Sequence, residues 1–441
     1  MLLIKQGRVI DPQNKIDKIA DILIAEGKIA QINPVREDGA SHGGVGLSNG
    51  IKTKINRDNC EIIDARNKVV VPGLIDIHCH LREPGREDEE TISSGAEAGA
   101  KGGFTTLCCM PNTQPVIDNQ EVVKFIYAKA KETKINVYPF GAVTERQEGR
   151  KLAEFGELKE AGVIGLSDDG NPLLNSGIMR RALEYARMFD LLISVHSEDI
   201  DLSKNGSMNE SFLSTVLGLE GIPDIAESIM VARDLQIAEF LNARIHFAHI
   251  SCQKSVELIR EAKKKGIKVT CETMPHYWTL TEECTRSFNP NFKINPPLRT
   301  REDVEAIKQG LRDGTIDAIA TDHAPHSSEE KELPFDKAPF GTIGLETALA
   351  VGISELVEKD ILTLSQLIEK MSSEPARIFN LCGGNLSVGS PADLAIVDLD
   401  KEWTVKKENF LSRSKNSAFL GRRLKGEVVS TICGGKVVYK K

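Results

Sequence analysis

The chain lacks several features that mark common protein classes. Its nine cysteines include no C-x-x-C pair, which excludes the usual cysteine-based zinc site. Several of them, such as Cys108, Cys109 and Cys271, lie within apolar runs, where a free thiol packs as a small hydrophobic group. We therefore expect buried, reduced cysteines and a cytoplasmic protein.

Positive charge is also in deficit. The 441 residues contain 56 Lys and Arg against 64 Asp and Glu, a net charge of −8. The sequence therefore predicts no broad basic face for nucleic acid or for an anionic membrane. No apolar run approaches the roughly 18 residues of a membrane span, and the first residues lack the apolar core and cleavage site of a signal peptide.

Between residues 69 and 322, short apolar runs alternate with stretches of helical spacing. This alternation is typical of parallel strands joined by crossover helices. A closed barrel fits better than an open doubly wound sheet, since no Gly-rich phosphate loop follows the first strand. The predicted fold is an α/β, (β/α)₈ TIM-type barrel with strands at 69–78, 104–110, 135–143, 162–168, 191–196, 243–250, 268–274 and 317–322 and helices at 119–134, 176–189, 225–241 and 253–265.

The two ends of the chain differ from the middle. Residues 1–34 and 385–441 contain short apolar runs with turn signals, which predict strands. We predict a small β-sandwich domain built from both termini, in which residues 1–65 and 381–441 flank a barrel at 66–380. Residues 35–59 are rich in Gly, Ser, Asn and charge, so they are predicted to form a surface insertion that contains His42 as a solvated residue.

Histidines gather at the ends of the predicted strands. His78 and His80 form an H-x-H pair at the end of the first strand, where alternation points both side chains to one face. His196 ends the fifth strand, His249 the sixth and Asp322 the eighth. In a parallel barrel these positions converge on the C-terminal rim, where active sites are built. Imidazole and carboxylate ligands without thiolates suit a catalytic Zn²⁺ or a similar divalent ion.

Three other polar residues near these strand ends have more than one interpretation. His246 precedes the sixth-strand ligand and is predicted to be a hydrogen-bonded residue of the core or rim. Asp168 and Asp169 end the fourth strand. Either could bridge two ions, or both could cap the following helix.

A divalent ion at this rim indicates hydrolysis. It would lower the pKa of its water towards neutrality and polarise a carbonyl group, and Asp322 could take the proton from that water and return it to a leaving nitrogen. Cationic and amide side chains nearby predict an anionic substrate, because an Arg fork matches a carboxylate. They are Arg82, Asn112, Asn295 and His326. A salt bridge at the rim is the alternative role of Arg82.

Seven motifs together resemble the dihydroorotase family of the amidohydrolase superfamily. They are DIHCHLREPG (76–85), GGFTTLCCMPNTQP (102–115), SDDGNP (167–172), VHSED (195–199), HFAHIS (246–251), NPPLR (295–299) and ATDHAPH (320–326). H-x-H alone would indicate only the superfamily, whereas HLREPG with MPNT and TDHAPH is much more specific. The resemblance runs nearly from end to end, and it is to the bacterial type related to the dihydroorotase part of the animal multifunctional pyrimidine enzyme.

This resemblance implies a role for each matching residue. The resemblance implies one or two Zn²⁺ per subunit. The first ion would be held by His78, His80 and Asp322. The second would be held by His196 and His249, with Asp169 between the two ions. Asp322 would be the general acid/base. The substrate contacts would be His80, Arg82, Asn112, Asn295, His326 and the backbone of Phe340 and Gly341. The implied reaction is the reversible hydrolysis of (S)-dihydroorotate to N-carbamoyl-L-aspartate, or ring closure in pyrimidine biosynthesis.

One departure from the superfamily is a missing lysine. Many members, including hydantoinases and allantoinases, carry a carboxylated lysine on the fourth strand as the bridging ligand. VIGLSDDG (163–170) offers no lysine, so a side-chain carboxylate must take its place, and Asp169 is the residue that the resemblance favours. This matches the bacterial dihydroorotase type and leaves an allantoinase or hydantoinase as the alternative enzyme.

Partners form the last set of expectations. The resemblance implies a small-molecule substrate and a homo-oligomer, expected as a dimer. An inactive scaffold for aspartate transcarbamoylase is the alternative from another class, but such proteins usually lose metal ligands and every expected ligand is present. An active enzyme could also bind that partner. Residues 326–341 have the length and polarity of a lid.

Overall fold

The computed structural model describes residues 1–34 and 60–441, so the predicted insertion at 35–59 and His42 lie outside the described residues. Within the described part, short parallel strands form a barrel and strands from both termini form a separate sheet. The predicted fold class is confirmed. None of the described helices is both long enough and apolar enough to cross a membrane.

The strands follow one another along the chain as two terminal groups around a barrel group. In chain order they are β1 (Leu2–Asp11), β2 (Ile16–Ala25), β3 (Lys28–Pro34), β4 (Glu61–Asp64), β5 (Val69–Pro72), β6 (Leu74–Cys79), β7 (Phe104–Cys109), β8 (Asn136–Pro139), β9 (Leu166–Ser167), β10 (Ile193–Val195), β11 (Met208–Asn209), β12 (Gly221–Ile222), β13 (Ile245–Phe247), β14 (Val269–Thr273), β15 (Ala318–Ile319), β16 (Leu394–Thr404), β17 (Arg423–Cys433) and β18 (Lys436–Lys440).

The α-helices lie between the barrel strands and after the last of them. They are α1 (Ile92–Lys101), α2 (Gln120–Ala130), α3 (Phe155–Ala161), α4 (Ser176–Met188), α5 (Ile200–Ser203), α6 (Phe212–Leu217), α7 (Ile225–Leu241), α8 (Gln253–Lys264), α9 (Arg301–Asp313), α10 (Ser328–Lys331), α11 (Ala348–Gly352), α12 (Leu364–Ile368) and α13 (Glu374–Phe379). The four helices predicted from spacing are confirmed as α2, α4, α7 and α8.

Polar caps explain where two of the predicted helices begin. The side chains of Asn119 and Asn175 accept hydrogen bonds from backbone N–H groups in the first turns of α2 and α4, which have no partner within the helix. In α4, Ile178, Met179 and Leu183 are buried. Their helical spacing gives the helix one apolar face, which packs into the core.

The barrel is closed by two single parallel bridges. β6, β7 and β8 pair in parallel, and so do β9, β10, β13, β14 and β15. The pair Gly141–Leu166 joins β8 to β9, and the pair Cys79–His323 joins β6 to the residues after β15. The carboxyl ends of all eight strands therefore meet at one rim.

Strands from both termini form one hydrogen-bonded sheet in the order β18-β17-β16-β5-β1-β2-β3, and β4 also pairs with β1. A register shift between Ile4 and Gly7 divides β1, so that its first half pairs with β4 and its second half with β5. The sheet has an apolar core of its own, which includes Leu2, Ile4, Val9, Ile22, Ile24, Val70, Leu394, Ile396 and Ile432.

The first predicted barrel strand, 69–78, is wrong as a single strand. Val69–Pro72 pairs with β1 and β16 in the terminal sheet, and only Leu74–Cys79 belongs to the barrel. Gly73 separates the two strands at a close packing point, because a Cβ atom there would lie 2.1 Å from Oγ1 of Thr105. The Pro72–Gly73 pair within this run was the available signal of the break, because Pro-Gly pairs mark turns.

Gly73→Ala is expected to lower the free energy of unfolding by about 1 to 3 kcal/mol, because the added methyl group forces Thr105 or the backbone to move. Urea unfolding measures the change. Thr105→Ala in the same chain removes the two nearest atoms, Oγ1 and Cγ2, and is expected to recover part of the loss. An unchanged unfolding midpoint for Gly73→Ala would show that the contact is easily relieved.

Candidate active site

The side chains predicted as metal ligands lie at the carboxyl ends of five barrel strands. His78 is the last residue but one of β6 and His80 follows that strand, while Asp169 follows β9. The other predicted ligands follow β10, β13 and β15 and are His196, His249 and Asp322. All six are buried. Strand closure thus gathers residues that are up to 244 positions apart in the sequence.

His78 lies at the centre of this cluster. Its Nδ1 is 2.7 Å from Oε1 of Glu272, so its other ring nitrogen, Nε2, faces the rim. That Nε2 is buried without a hydrogen-bond partner and lies 3.4 Å from Oδ1 of Asp169 and 3.7 Å from Oδ1 of Asp322. A buried nitrogen aimed at two carboxylates is the donor that a cation requires.

A first group of ligand atoms comes from His78, His80 and Asp322, whose atoms all lie within 4.8 Å of one another. Nε2 of His80 is 3.0 Å from Oδ1 of Asp322 and 3.4 Å from Oδ2 of Asp169. Its Nδ1 lies 2.9 Å from Oδ1 of Asn112. The Asn112 contact holds the ring with Nε2 towards the carboxylates.

A second group consists of His78, Asp169 and His249, again within 4.8 Å. Nε2 of His249 is 3.3 Å from Oδ1 of Asp169 and 2.8 Å from Nδ1 of His196. Nδ1 of His196 lies 3.5 Å from the same oxygen of Asp169. Asp169 therefore lies between the two groups, with one oxygen towards each.

The structure separates the two aspartates that the sequence left ambiguous. Asp168 accepts hydrogen bonds from the backbone N–H groups of Val143 and Thr144 at 2.8 and 3.1 Å, and from Oγ1 of Thr144. It fastens a neighbouring loop, whereas Asp169 points into the cluster. His246 lies beside Thr270 and Glu272, with ring nitrogens 2.8 and 3.3 Å from them, in agreement with its prediction as a hydrogen-bonded core residue.

The electrostatics of the cluster favour a bound cation. Burial raises the pKa of Asp169, but neighbouring imidazoles outweigh it and hold this pKa well below its usual range. Against the same penalty of burial, imidazoles lower the pKa of Asp322 and of Glu272 to about 2. Three buried carboxylates therefore stay ionised. Against the penalty of burial, Asp169 and Glu198 raise the pKa of His196 to about 10, so imidazoles supply the positive charge that a bound cation would supply in their place. With imidazole and carboxylate donors and no thiolate, the residues fit a divalent ion with open positions.

Two predicted substrate residues, Arg82 and His326, lie beside the cluster. Nη2 of Arg82 is 3.3 Å from Nε2 of His326, which is 2.7 Å from the carbonyl oxygen of Phe340. The next residue, Gly341, has a φ of +141°, and a Cβ atom there would lie 2.8 Å from the carbonyl oxygen of Ala324. The backbone at Phe340 and Gly341 therefore packs against the segment that carries His326.

Asn295, also predicted to contact substrate, lies on the opposite side of the cluster. Its Nδ2 donates to Oε2 of Glu198 at 3.0 Å, and the same oxygen is 2.8 Å from Nε2 of His196. The predicted lid, 326–341, contains α10, and buried Lys331 donates to the carbonyl oxygens of Pro290 and Pro339. The Pro290 contact fastens the lid segment to the residues after β14, whereas Pro339 lies within the segment itself.

The amino-acid sequence is closely similar to those of known proteins over its full length. The chain is 51% identical to a dihydroorotase of Endomicrobium trichonymphae over 441 residues, which cover 100% of this chain and 99% of that one. It is 50% identical to a dihydroorotase of Acetivibrio thermocellus with the same coverage. The chain belongs to the dihydroorotase family. The family profile described as dihydro-orotase-like matches residues 67–255, and that of the amidohydrolase family matches residues 301–439.

Solved structures related to this dihydroorotase family member share its whole fold. An L-hydantoinase (dihydropyrimidinase) from Arthrobacter aurescens superposes with a TM-score of 0.86 at 28% identity, covering 100% of this chain and 96% of that one. A dihydropyrimidinase from Brevibacillus agri superposes with a TM-score of 0.83 over 99% of this chain and 95% of that one; at 23% identity it supports the fold alone. The barrel and the terminal sheet therefore occur together in both proteins.

Sequence reasoning missed three residues of this dihydroorotase-family site. Glu272 contacts His78, and Glu198 contacts His196. His276 is buried with Nε2 unpartnered, and burial lowers its pKa to about 4. A charge within the apolar run KVTCETM was the available signal for Glu272, because buried acidic residues are rare unless paired. Glu198 stands in the polar segment HSED, where nothing marks it. His276 follows the seventh predicted strand among apolar residues, and its place just after a strand end was the available signal.

Glu272→Gln is expected to weaken divalent metal binding about 10- to 100-fold, because Glu272 orients His78 and raises the basicity of its free nitrogen. Competition with a chromophoric chelator measures the affinity. Glu257→Gln, on the exposed side of α8, is the matched control and should leave it unchanged. Equal metal affinity in Glu272→Gln and the unsubstituted protein would remove this role.

Proposed function

We propose that this protein is a dihydroorotase, which catalyses the reversible hydrolysis of (S)-dihydroorotate to N-carbamoyl-L-aspartate in pyrimidine biosynthesis. The observation that carries the proposal is the match to dihydroorotases at about half identity along the entire chain. The site supports it, because buried imidazoles and carboxylates meet beside an arginine at a barrel rim. In a cyclic amide with an attached carboxylate, the amide would face the imidazole and carboxylate cluster and the carboxylate would face the arginine.

We propose Zn²⁺ as the metal, with one or two ions in each chain. His78, His80 and Asp322 would hold the first ion, and His196 with His249 the second, with Asp169 bridging them. When bound, the metal supplies a water of lowered pKa and polarises the amide carbonyl. The unpartnered Nε2 of His78 supports the assignment.

Asp322 is proposed to move the proton. It would accept the proton of the attacking water and deliver it to the ring nitrogen that leaves when the amide bond breaks. Its Oδ1 is 3.0 Å from Nε2 of His80, which fixes the direction of the carboxylate. Neighbouring imidazoles lower the pKa of Asp322 against the effect of burial, so its carboxylate is ionised and has a free lone pair to accept a proton.

The other proposed roles concern substrate binding. Arg82 would pair with the substrate carboxylate through its terminal nitrogens. His80 would contact the substrate on the same side of the substrate ring as Arg82. Amide, imidazole and backbone groups around the rim would bind the remaining polar atoms: Asn112, Asn295, His326, Phe340 and Gly341. The buried surroundings of Arg82 strengthen this pairing, since charge is poorly screened there.

A substrate panel tests the proposed function. The zinc-loaded protein is incubated with dihydroorotate, hydantoin and allantoin, and ring opening is followed for each. We expect kcat/KM for dihydroorotate to exceed the other two by at least about 10³-fold, because only dihydroorotate carries a carboxylate for Arg82, whose side chain is 12% exposed. Faster turnover of hydantoin or allantoin would overturn the proposal.

A hydantoinase-type activity is the second candidate, because the fold of the Arthrobacter aurescens L-hydantoinase superposes over the entire chain. The absence of lysine from VIGLSDDG counts against it. An inactive scaffold is disfavoured by the complete set of candidate ligands. A homodimer, a complex with aspartate transcarbamoylase, a cytoplasmic location and the domain limits at residues 65 and 380 stay predictions.

A further inference from the structure

Glu89 is a buried carboxylate at the edge of the site that none of the proposed roles uses. Its side chain is 1% exposed, and Oε2 lies 3.1 Å from Nε of Arg82. Its other oxygen, Oε1, lies 2.7 Å from Nδ1 of His326 and accepts a hydrogen bond from Nη2 of Arg86 at 2.9 Å. One carboxylate thus contacts both side chains that flank the proposed carboxylate position of the substrate.

The Glu89 contact sets the direction of Arg82. Nε of Arg82 faces Oε2 of Glu89 and donates to the carbonyl oxygen of Pro325 at 3.1 Å. Because both contacts are made at Nε, the two terminal nitrogens of the guanidinium group extend beyond them, and Nη2 lies 3.3 Å from Nε2 of His326. A guanidinium group that is held at Nε is pre-organised to bind a carboxylate through its terminal nitrogens with two parallel hydrogen bonds.

The same carboxylate reaches the segment that carries the lid. His326 begins that segment, and Glu330 of α10 lies 3.6 Å from its Nδ1. Arg86 joins the two acids, with Nη2 2.9 Å from Glu89 and 2.6 Å from Glu330. Glu89 therefore connects the loop after β6 to the start of the lid segment through hydrogen bonds and ion pairs.

A third metal ion is the competing interpretation of this group. Glu89, His326 and Glu330 offer ligand atoms within 4.8 Å of one another. However, the guanidinium groups of Arg82 and Arg86 already contact the carboxylates. The two guanidinium groups already neutralise the carboxylates that an ion would bind. We therefore interpret Glu89, His326 and Glu330 as part of a hydrogen-bonded and ion-paired network of side chains.

We propose that Glu89 is a positioning residue that holds Arg82 and His326 together as one unit for recognition of the substrate carboxylate. The inference rests on the proposed dihydroorotase function. It assigns to Glu89 the preference for a ring that carries a carboxylate over the same ring without one. Glu89 does not touch the reacting atoms, so its effect lies in substrate binding.

Glu89→Gln tests this role, since it keeps the shape of the side chain and removes its charge. We expect KM for dihydroorotate to rise about 10-fold while kcat changes less than about 3-fold, because the lost interaction acts on binding. The matched control is Asp88→Asn, whose side chain is 64% exposed and 3.7 Å from Arg86, and it should leave both constants unchanged. A fall in kcat at constant KM would overturn the proposal.

A double-mutant cycle with Arg82→Met separates positioning from general stability. If Glu89 acts through Arg82, Glu89→Gln adds less than about 2-fold to the loss of kcat/KM already caused by Arg82→Met. Independent, multiplicative losses would contradict the proposal. Thermal unfolding and metal content are measured for each variant, and Glu89→Asp, which keeps the charge, should recover part of the lost affinity.

Calorimetric binding of orotate keeps this test separate from that of the activity. Orotate carries the same ring carboxylate on an unsaturated, conjugated ring whose amide bond resists hydrolysis, so its binding can be measured without turnover. We expect the zinc-loaded protein to bind orotate about 10-fold more tightly than the zinc-loaded Glu89→Gln variant does, because an Arg82 held by Glu89 pairs better with the orotate carboxylate. Equal affinities would overturn the role of Glu89 even if dihydroorotate is turned over. Absence of turnover with unequal affinities would overturn only the proposed function.

Discussion

Asp322→Asn is expected to lower kcat about 10²- to 10⁴-fold in both directions of the reaction, because the amide that replaces the carboxylate cannot accept the proton of the attacking water. The shape of the side chain is kept, so the contact of Oδ1 with His80 at 3.0 Å can be preserved. Steady-state rates with dihydroorotate and with N-carbamoyl-L-aspartate measure the effect.

A control on the surface accompanies this substitution. Asp190→Asn changes an aspartate that is 84% exposed and pairs with Arg244, and its kcat should equal that of the unsubstituted protein. Metal content is measured for both variants, because Asp322 is also a candidate ligand. An Asp322→Asn variant that keeps its metal and more than about a tenth of kcat would rule out Asp322 as the general base.

His78→Ala is expected to have the largest effect on metal content. His78 belongs to both candidate ligand groups, whereas His80 and His249 each belong to one. In the proposed assignment His78 holds the first ion, and its Nε2 also lies 3.4 Å from Oδ1 of the bridging Asp169. Removal of His78 should therefore release the first ion, weaken binding of the second and lower turnover by at least about 10³-fold, since the activated water and the polarised carbonyl depend on bound metal. Elemental analysis of the purified variant gives the metal content.

His249→Ala is the matched comparison. It removes a ligand of the second group only, so it should retain the ion held by His78, His80 and Asp322 and lose the other. The two variants thus differ in which ion is lost. A His78→Ala protein with the metal content of the unsubstituted chain would contradict the central place of His78.

The link from barrel to chemistry is geometric. β6, β9, β10, β13 and β15 each end in one or two polar residues, and parallel closure places those ends at one rim. The low pKa of Asp169 and of Asp322 follows from that convergence. The site therefore combines ionised carboxylates with buried imidazoles, as metal-dependent hydrolysis requires.

Spacing along the sequence predicted the residues that stand at strand ends. His78 and His80 could be assigned to one face because side chains alternate along a strand. Helices α4 and α8 could be assigned because apolar residues recur with helical spacing. These properties depend only on near neighbours in the chain, so the pattern contains them.

Contacts across strands could not be predicted in the same way. Glu272 meets His78 across 194 positions, and Glu89 meets His326 across 237. The close packing of Gly73 depends on Thr105 of the neighbouring strand. Such contacts are set by the register of the barrel, which the spacing of residues within one strand does not contain.

Removal and return of metal tests the central claim most directly. The purified protein is stripped with a chelator, its metal content is measured, and dihydroorotate turnover is followed as Zn²⁺ is added back. The account predicts that turnover falls to background in the stripped protein and returns in proportion to bound Zn²⁺, to at most two ions per chain. Full turnover by protein shown to contain no metal would contradict it.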